Sequence, residues 1–444
     1  MRGVSGQTFN QAVTVFVHLV SVPVLLNSWG KELYGEWLVL SAIPMYLSMT
    51  DLGFSSAAIR DMIIQIGKGS KDGALKAFQS AWGFLLIISF FVIMLFLPAV
   101  FVLPIEKLLN ISILGFHEIR YLEMILCLLI LATLQTNLFY GGFACVGKYG
   151  LGFGVLGAIR LIENTGLLVC ALLGGGVTDS ALSALVLRIG GMFVMLFILK
   201  RSVAWLYPGF SYFDRTVLAK LFKPSLASLI IPLSDSFNLQ GMRIIVGMIM
   251  GPSAVVVFAT LRTLTRLVKM FLNSLSKILM PEIGMAYGNK DKQLMLLLHR
   301  KSCQISIGIA LVSGLFLLIF GEGLLSIWTA GEVPMHQLLF AFLILVNIVN
   351  AFWFTSFNIQ IATNFHARAA VVYLCVNISG LVMAWFAGLF FELNGVASVL
   401  LVMEITMIFY VVPGSLSLTS DNMRAFLLNL VTPPNFMRKV FVNK

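Results

Sequence analysis

The stretch AVVVFATLRTLTRLVKMFLNSLSKILM, residues 254–280, is long and apolar enough to cross a bilayer, yet it carries four cations. About 20 predominantly apolar residues cross a hydrocarbon core about 30 Å thick. Arg262, Arg266, Lys269, Asn273 and Lys277 step by three or four residues and so share one helix face. At about 1.5 Å per residue the stripe is about 22 Å long, most of the core. A charge at the centre of a span costs about 2.5–3.5 kcal/mol on insertion scales. Four survive only where they face water or an anion, or where long stems carry the charged heads to the interface. That second account suits Lys277, near one end of the span. It suits Arg262 and Arg266 poorly, about two and three turns from the other end. The stripe predicts a lining for something negatively charged.

The surrounding sequence is of the same kind. The chain has 444 residues, 59% hydrophobic and 11% charged, with a mean hydropathy of +0.96. No soluble globular domain has that balance, so the predicted class is an all-α integral membrane protein. About twelve transmembrane helices are expected, over 9–28, 35–59, 78–103, 121–144, 152–174, 181–199, 225–250, 254–280, 303–327, 336–361, 369–391 and 395–418. Gly251-Pro252 and Gly174-Gly175-Gly176 mark tight connections. The apolar stretch from Ala12 to Leu26 leads straight to the next span with no small-residue cleavage site, so it reads as a first helix and not a removable signal. Cys127, Cys145, Cys170, Cys303 and Cys375 all fall within or beside spans and read as packing residues.

Weak repeats suggest two halves. Gly147-Lys148-Tyr149 answers Asn364-Phe365-His366, and Thr165-Gly166-Leu167 answers Ser379-Gly380-Leu381. The expected division is a six-helix bundle over 1–200, a cytoplasmic linker over 201–224, a second six-helix bundle over 225–418 and a basic tail over 419–444. The two bundles would be related by a pseudo-two-fold axis along the membrane normal, a layout used by transporters. With the N-terminus inside, 20 basic residues face the cytoplasm and three (Lys31, Lys107, Arg120) face outward. Basic loops stay inside, so both termini are expected in the cytoplasm, and the net charge of +11 does not imply nucleic acid.

Seven basic residues remain within the spans: Arg160, Arg188, Arg243, Arg262, Arg266, Lys269 and Lys277. The intramembrane acids are read as Asp51, Glu163, Asp235 and Glu404. Arg160 and Glu163, one turn apart, are either a self-neutralising pair or an arginine tuning a titratable carboxylate for ion coupling. Arg188 has no local acid, so it pairs across the bundle, with Glu404 as one candidate, or meets substrate. Asp235 and Arg243 share a face on the seventh span with Leu239 between them. Pro232, just before, predicts a kink or a gating hinge. Asn347, Asn350 and Asn358 read as interhelical hydrogen-bond glue, and Gln11 and His18 share one face of the first span. The substrate-binding candidates are therefore Arg262, Arg266, Lys269, Arg188, Arg160 and Arg243, with Glu163, Asp235 and Glu404 for ion coupling. No phosphate loop, GxSxG or metal-ligand spacing appears, so no catalytic, cofactor or metal site is predicted. Any active transport would run on an ion gradient or down the substrate's own gradient.

A family resemblance rests mostly on the N-terminal fifth. Pro23, the run Gly30-Lys31-Glu32-Leu33-Tyr34-Gly35-Glu36-Trp37, then Asp51-Leu52-Gly53 and Arg60 resemble the opening of bacterial polysaccharide transporters. These are the O-antigen and related lipid-linked oligosaccharide flippases of the multidrug/oligosaccharidyl-lipid/polysaccharide exporter superfamily. The Arg243 to Gly251 turn and Pro281 fit as well. The resemblance implies a flippase of the bacterial inner membrane, moving a polyprenyl-diphosphate-linked repeat unit to the periplasmic leaflet by alternating access. It also implies membrane lipids, a glycan polymerase and a chain-length regulator as partners. It gives Tyr34-Gly35 and Asp51-Leu52-Gly53 structural roles, as a tight outer turn and a helix feature. A cationic cavity would hold the diphosphate while the lipid tail stays in the bilayer. The alternatives are an ion-coupled multidrug or organic-ion exporter of the same superfamily, or a membrane glycan polymerase or ligase. The excess of intramembrane cations argues against a carrier of organic cations. The short segment from Pro104 to Arg120 offers little for a glycan enzyme.

Overall fold

A computed structural model describes residues 2–51 and 53–431, except for the side chains at 2–5, 223, 224, 227, 270–279, 281 and 431. Leu52, the side chains of Asn273, Lys277 and Pro281, and the basic tail residues Arg438, Lys439 and Lys444 lie outside the described residues. Among these residues every regular element is a helix. They are α1 (Arg2–Leu40), α2 (Ala42–Met45), α3 (Phe54–Gly67), α4 (Lys71–Val102), α5 (Ile105–Leu108), α6 (Phe116–Cys145), α7 (Tyr149–Leu172) and α8 (Val177–Ser202). After these come α9 (Arg215–Ser236), α10 (Met242–Met250), α11 (Pro252–Gly288), α12 (Lys292–Thr329), α13 (Gln337–Ala362), α14 (Ala367–Thr419) and α15 (Met423–Val431). A 3₁₀ turn fills Tyr46–Met49, and a π-helical turn, Phe237–Gly241, joins α9 to α10. Among the described residues, eight stretches are long and apolar enough to cross a membrane.

Two of those eight are too long for one crossing. Gly6–Gly67 has 62 residues, which as one continuous helix would be about 93 Å long, against a core of about 30 Å. The chain reverses inside it at Gly30 (φ 74°, ψ 172°), a conformation closed to most side chains. Before Gly30, α1 runs parallel to α7: Gly6 meets Gly150, Arg160 meets Thr14, and Trp29 Nε1 donates to the Gly175 carbonyl at 3.1 Å. A Cβ on Gly6 would lie 2.3 Å from the Gly150 oxygen, so only glycine permits this crossing. After Gly30 the chain runs back, with Glu36 at the 112–114 loop and Ile59 and Met62 against Gly141. The turn expected at Tyr34-Gly35 therefore sits at Gly30. Asp51 and Gly53 lie between helices, with Asp51 Oδ1 accepting from the Gly53 N–H at 2.8 Å. The 53-residue α14 reverses likewise at Glu392 (φ 51°, ψ −139°), which brings Gly380 back against Met403. With these reversals the expected spans fall on helical segments, the second (35–59) being made of the end of α1, α2, the 3₁₀ turn and the start of α3.

The chain forms two compact units, Met1–Val257 and Phe258–Lys444. In the first, Phe54, Ala58 and Met62 of α3, Phe78 and Leu85 of α4, Leu138 and Phe143 of α6 and Leu199 of α8 share one apolar centre. Val203 and Leu206, in the segment read as a linker, are buried in that same centre. Gln79 of α4 fastens this segment, donating to the Tyr207 carbonyl at 3.2 Å and accepting from the Tyr212 N–H at 2.8 Å. Asp214 then caps α9 by accepting from the Thr216 N–H at 2.8 Å, and Lys220 pairs with Asp61 of α3 at 3.0 Å. In the second unit α12, α13 and α14 pack around Trp353, which is fully buried against Tyr373 and Phe357. The C-terminal α15 is held to α12 by Arg300 on Asp421 and by Gln304 on the Asn429 carbonyl.

Candidate functional site

In the first unit the predicted charges gather where α1, α7 and α8 meet. Arg160 of α7 donates through Nη1 to Thr14 Oγ1 at 2.6 Å, and Thr14 donates onward to the Asn10 carbonyl at 2.8 Å. Glu163, one turn along α7, turns to α8, where its Oε2 pairs with Nη2 of Arg188. Both members of that pair are buried. Of the two sequence readings of Arg160 and Glu163, a self-neutralising pair within α7 or an arginine-tuned carboxylate, the first gives way to a bridge between helices. A buried ion pair survives desolvation only with close, well-aimed groups, and the guanidinium from α8 supplies them. Arg160 is left facing a neutral hydroxyl. The cluster holds two guanidinium groups and one carboxylate, an excess of positive charge inside the bundle. Gly166 against Leu187 and Gly191 against Ile159 let α7 and α8 approach closely enough for this bridge.

Asp235 and Arg243 flank the π-helical turn between α9 and α10. The helix continues through Pro232, and the irregularity lies a turn later. A π turn absorbs one extra residue. Eight residues of regular α-helix would leave the two side chains about 80° apart; with one residue absorbed they differ by about 20°. The wide turn therefore brings them nearer to one face than regular α-helix would. Arg243 Nη1 also reaches Gln240 Oε1 at 3.3 Å, and Tyr46 donates to the Ser236 carbonyl at 3.4 Å.

In the second unit Arg262 is buried on α11, its guanidinium 5.5 Å from the Phe258 ring centre. Lys269 stands 5.6 Å from the ring of Phe354 on α13, a cation–π contact between helices. Arg266 and Lys269 are half-buried. Val268 packs against the cluster of Ala310 and Ala351, as Ile348 does, so α11 shows an apolar flank to α12 and α13 beside its charged face. Glu404, a candidate partner for Arg188, instead accepts from Asn350 Nδ2 at 2.8 Å and Trp353 Nε1 at 2.6 Å. Of the three asparagines expected to bridge helices, only Asn350 is recorded doing so. Asn347 and Asn358 donate to carbonyls of their own helix, Leu343 at 2.7 Å and Phe354 at 3.0 Å.

Two features escaped the sequence reading. One is a polar seam along α13: Ser356 Oγ meets His299 Nε2 at 3.0 Å, and Gln360 donates to Ser415 Oγ at 3.0 Å and the Val411 carbonyl at 2.9 Å. Its sequence signal is the three-to-four spacing of Asn350, Trp353, Ser356 and Gln360. The other is Glu123 on α6, a further intramembrane acid at 0% exposure. A span expected to begin at 121 placed it in the first turn, where a carboxylate reaches water. The helix starts five residues earlier, at Phe116, which carries Glu123 inward.

Glu106 on α5, outside the spans, meets Arg120 of α6 at 2.8 Å, and the hydrogen bond holds its carboxyl below the usual carboxylate range. Arg300 likewise lowers Asp421 through a two-pronged hydrogen bond, with Nε to Oδ2 at 2.7 Å. Among the described residues, no three His, Cys, Asp or Glu side chains gather as metal ligands would.

No family model and no curated protein matches the sequence. Solved structures do. The chain is similar to an inward-facing multidrug resistance MATE family transporter of the MOP superfamily, at TM-score 0.73 and 15% identity over 94% of this chain and 96% of that one. The chain has the MATE fold. The likeness extends to an outward-facing MATE transporter, at TM-score 0.66 and 14% identity over 94% and 95% of the two chains. It extends also to a MOP superfamily transporter from Pyrococcus furiosus, at TM-score 0.64 and 13% identity over 94% and 95%. That protein is described as having a binding pocket of reverse polarity that suggests a different function.

Proposed function

We propose that the chain is a multi-pass membrane exporter of the MATE fold that moves an organic ion by alternating access, coupled to an ion gradient. The observation that carries this reading is the match over 94% of the chain, at TM-score 0.73, to a multidrug resistance transporter. A fold found in both inward- and outward-facing states supports alternating access. The charges favour the sign of the cargo. Arg160 and Arg188 outnumber Glu163 in one unit, and Arg262, Arg266 and Lys269 share a face in the other. Such surroundings favour an anion, with Phe258 and Phe354 offering aromatic faces to an apolar body. We place the protein in a bacterial cytoplasmic membrane with both termini inside, on the charge bias of its loops.

A second reading keeps the same path and changes the cargo to a polyprenyl-diphosphate-linked oligosaccharide. The cationic stripe favours it, because arginine forks match phosphate oxygens. Proteoliposomes holding the purified full chain separate the two. The anionic dye Lucifer Yellow, the cationic dye ethidium and a short-chain polyprenyl-diphosphate sugar are offered in parallel. Organic-anion export predicts movement of Lucifer Yellow over ethidium, cut at least tenfold in Arg262→Ala and Arg266→Ala at normal protein level. Movement of the lipid-linked sugar alone selects the second reading. Movement of none of the three, or full activity in both variants, refutes the proposal.

A further inference from the structure

The carboxylates expected to couple an ion are largely engaged: Glu163 on Arg188, Glu404 on Asn350 and Trp353. Glu123 is not. It lies seven residues inside α6, about 10 Å along the helix from Phe116, at 0% exposure. Neither carboxylate oxygen has a hydrogen-bond partner. An ionised carboxylate left bare in an apolar interior costs far more than a neutral one, which sheds the charge by taking a proton.

Among the described residues, the charged side chains on the neighbouring elements are engaged elsewhere or lie toward helix ends. Arg120, one turn nearer the helix start, is turned to Glu106 through Nη1 and to the Leu103 carbonyl through Nη2, at 2.8 and 3.0 Å. On α4 the charges Lys71, Asp72 and Lys76 lie in the first two turns, while Val92, Ile93 and Phe96 pack near Cys127 of α6. Leu47 of the 3₁₀ turn joins that patch, and neither α2 nor the 3₁₀ turn carries a charge. Arg60 and Asp61 of α3 engage Ser228 and Lys220 of α9. On α7 and α8, Glu163 and Arg188 hold each other, Arg160 holds Thr14, and Asp179 accepts from the Gly176 N–H at 3.1 Å. Lys200 and Arg201 end α8 at its far terminus. The titratable neighbour one turn along α6 is Cys127. Two hydroxyls in the first turn of α8, Thr178 and Ser180, are also without partners.

We propose that Glu123 is a proton-carrying site, neutral in the conformation described, which releases its proton when the packing around the first turns of α6 opens during transport. The site takes one proton from water on one side of the membrane and returns it to water on the other, with no other bond made or broken. The proposal rests on the exporter reading for its transport step; the protonation state stands apart from it.

The test uses the full chain in liposomes, with two readouts. Infrared difference spectra at neutral pH report protonated carboxyl groups by their C=O absorption. The expected result is a protonated-carboxyl band that disappears in Glu123→Gln, whose amide mimics the neutral acid, and shifts in Glu123→Asp. Pyranine trapped in the lumen reports proton movement while a gradient of Lucifer Yellow or ethidium drives the carrier. The wild type should show a lumenal pH change that Glu123→Gln loses while dye still exchanges. A band unchanged in Glu123→Gln overturns the neutral carboxyl. A wild-type pH change in that variant overturns the coupling. If the wild type moves neither dye, the exporter reading and the coupling fall together, and the infrared band still decides whether the carboxyl is neutral. If Glu123→Gln does not insert, the band shift in Glu123→Asp decides the same point.

Discussion

Arg188→Leu should destabilise the protein by about 3 kcal/mol at pH 7, and the loss should shrink in acid. Arg188 is 7% exposed and Glu163 11% at the side chain, so neither charge is relieved by water. Removing one partner of a buried pair costs about 3–5 kcal/mol. Glu163, however, can escape by taking a proton. From an ordinary carboxylate value of about 4.3, that escape costs about 1.36 kcal/mol per pH unit, or about 3.7 kcal/mol at pH 7. This caps the loss, and Arg160 one turn away on α7 reduces it further. At pH 5 the cap falls to about 1 kcal/mol. Glu163→Gln has no such escape, because arginine keeps its proton at any working pH. Its loss should be the larger of the two, about 3–5 kcal/mol, and nearly independent of pH between 5 and 7. The double variant Arg188→Leu/Glu163→Gln should recover about 2–3 kcal/mol relative to the sum of the single losses. Unfolding in mixed micelles with increasing SDS, for wild type and the three variants, completes the cycle. A coupling below about 0.5 kcal/mol would show that the two residues act independently. A loss in Arg188→Leu that does not narrow at pH 5 would refute the proton escape.

Two further outcomes are expected. Glu36 is fully buried and accepts from the N–H groups of Ser112 and Ile113 at 2.7 Å and of Leu114 at 3.0 Å. Glu36→Gln turns one acceptor into a donor facing a donor, a loss of about 2–4 kcal/mol, and hydrogen exchange over 112–114 should speed up; unchanged exchange there would contradict the role. Asp421 has a depressed folded value because of Arg300, so the tie adds stability above the unfolded aspartate value of about 3.9 and loses it as pH falls through the lower folded value. Proteolysis of α15 should therefore rise sharply only in strong acid in the wild type, and already be high at neutral pH in Arg300→Ala. Equal cleavage of the two proteins at pH 7 would count against that latch.

The sequence patterns that located the spans depend on local chemistry. An apolar run of the right length has few destinations, and Gly30 marks a reversal because few other residues adopt its backbone angles. The partners of the charges depend on helix rotation, which one helix does not reveal. Arg160 and Glu163 look like a pair by spacing, yet the close packing of α7 and α8 supplies Glu163 with Arg188. Glu123 was hidden for a similar reason: a boundary shift of five residues moves a carboxylate from the wet end of a helix to its buried face. The role of Glu36 was not legible from its motif, since its partners lie more than 70 residues away. Division of the chain after Val257, inside the eighth expected span, also leaves no compositional mark.

The π turn at Phe237–Gly241 also has a consequence for how this chain is compared with others. One residue is taken up in the middle of a helix, where no loop advertises an insertion. Two chains of this fold that differ only in having or lacking the wide turn are out of register by one on one side of it. An ungapped comparison would then match Asp235 correctly and misplace Arg243, or the reverse. Charge patterns upstream and downstream of this turn are best compared separately, each anchored on its own flank.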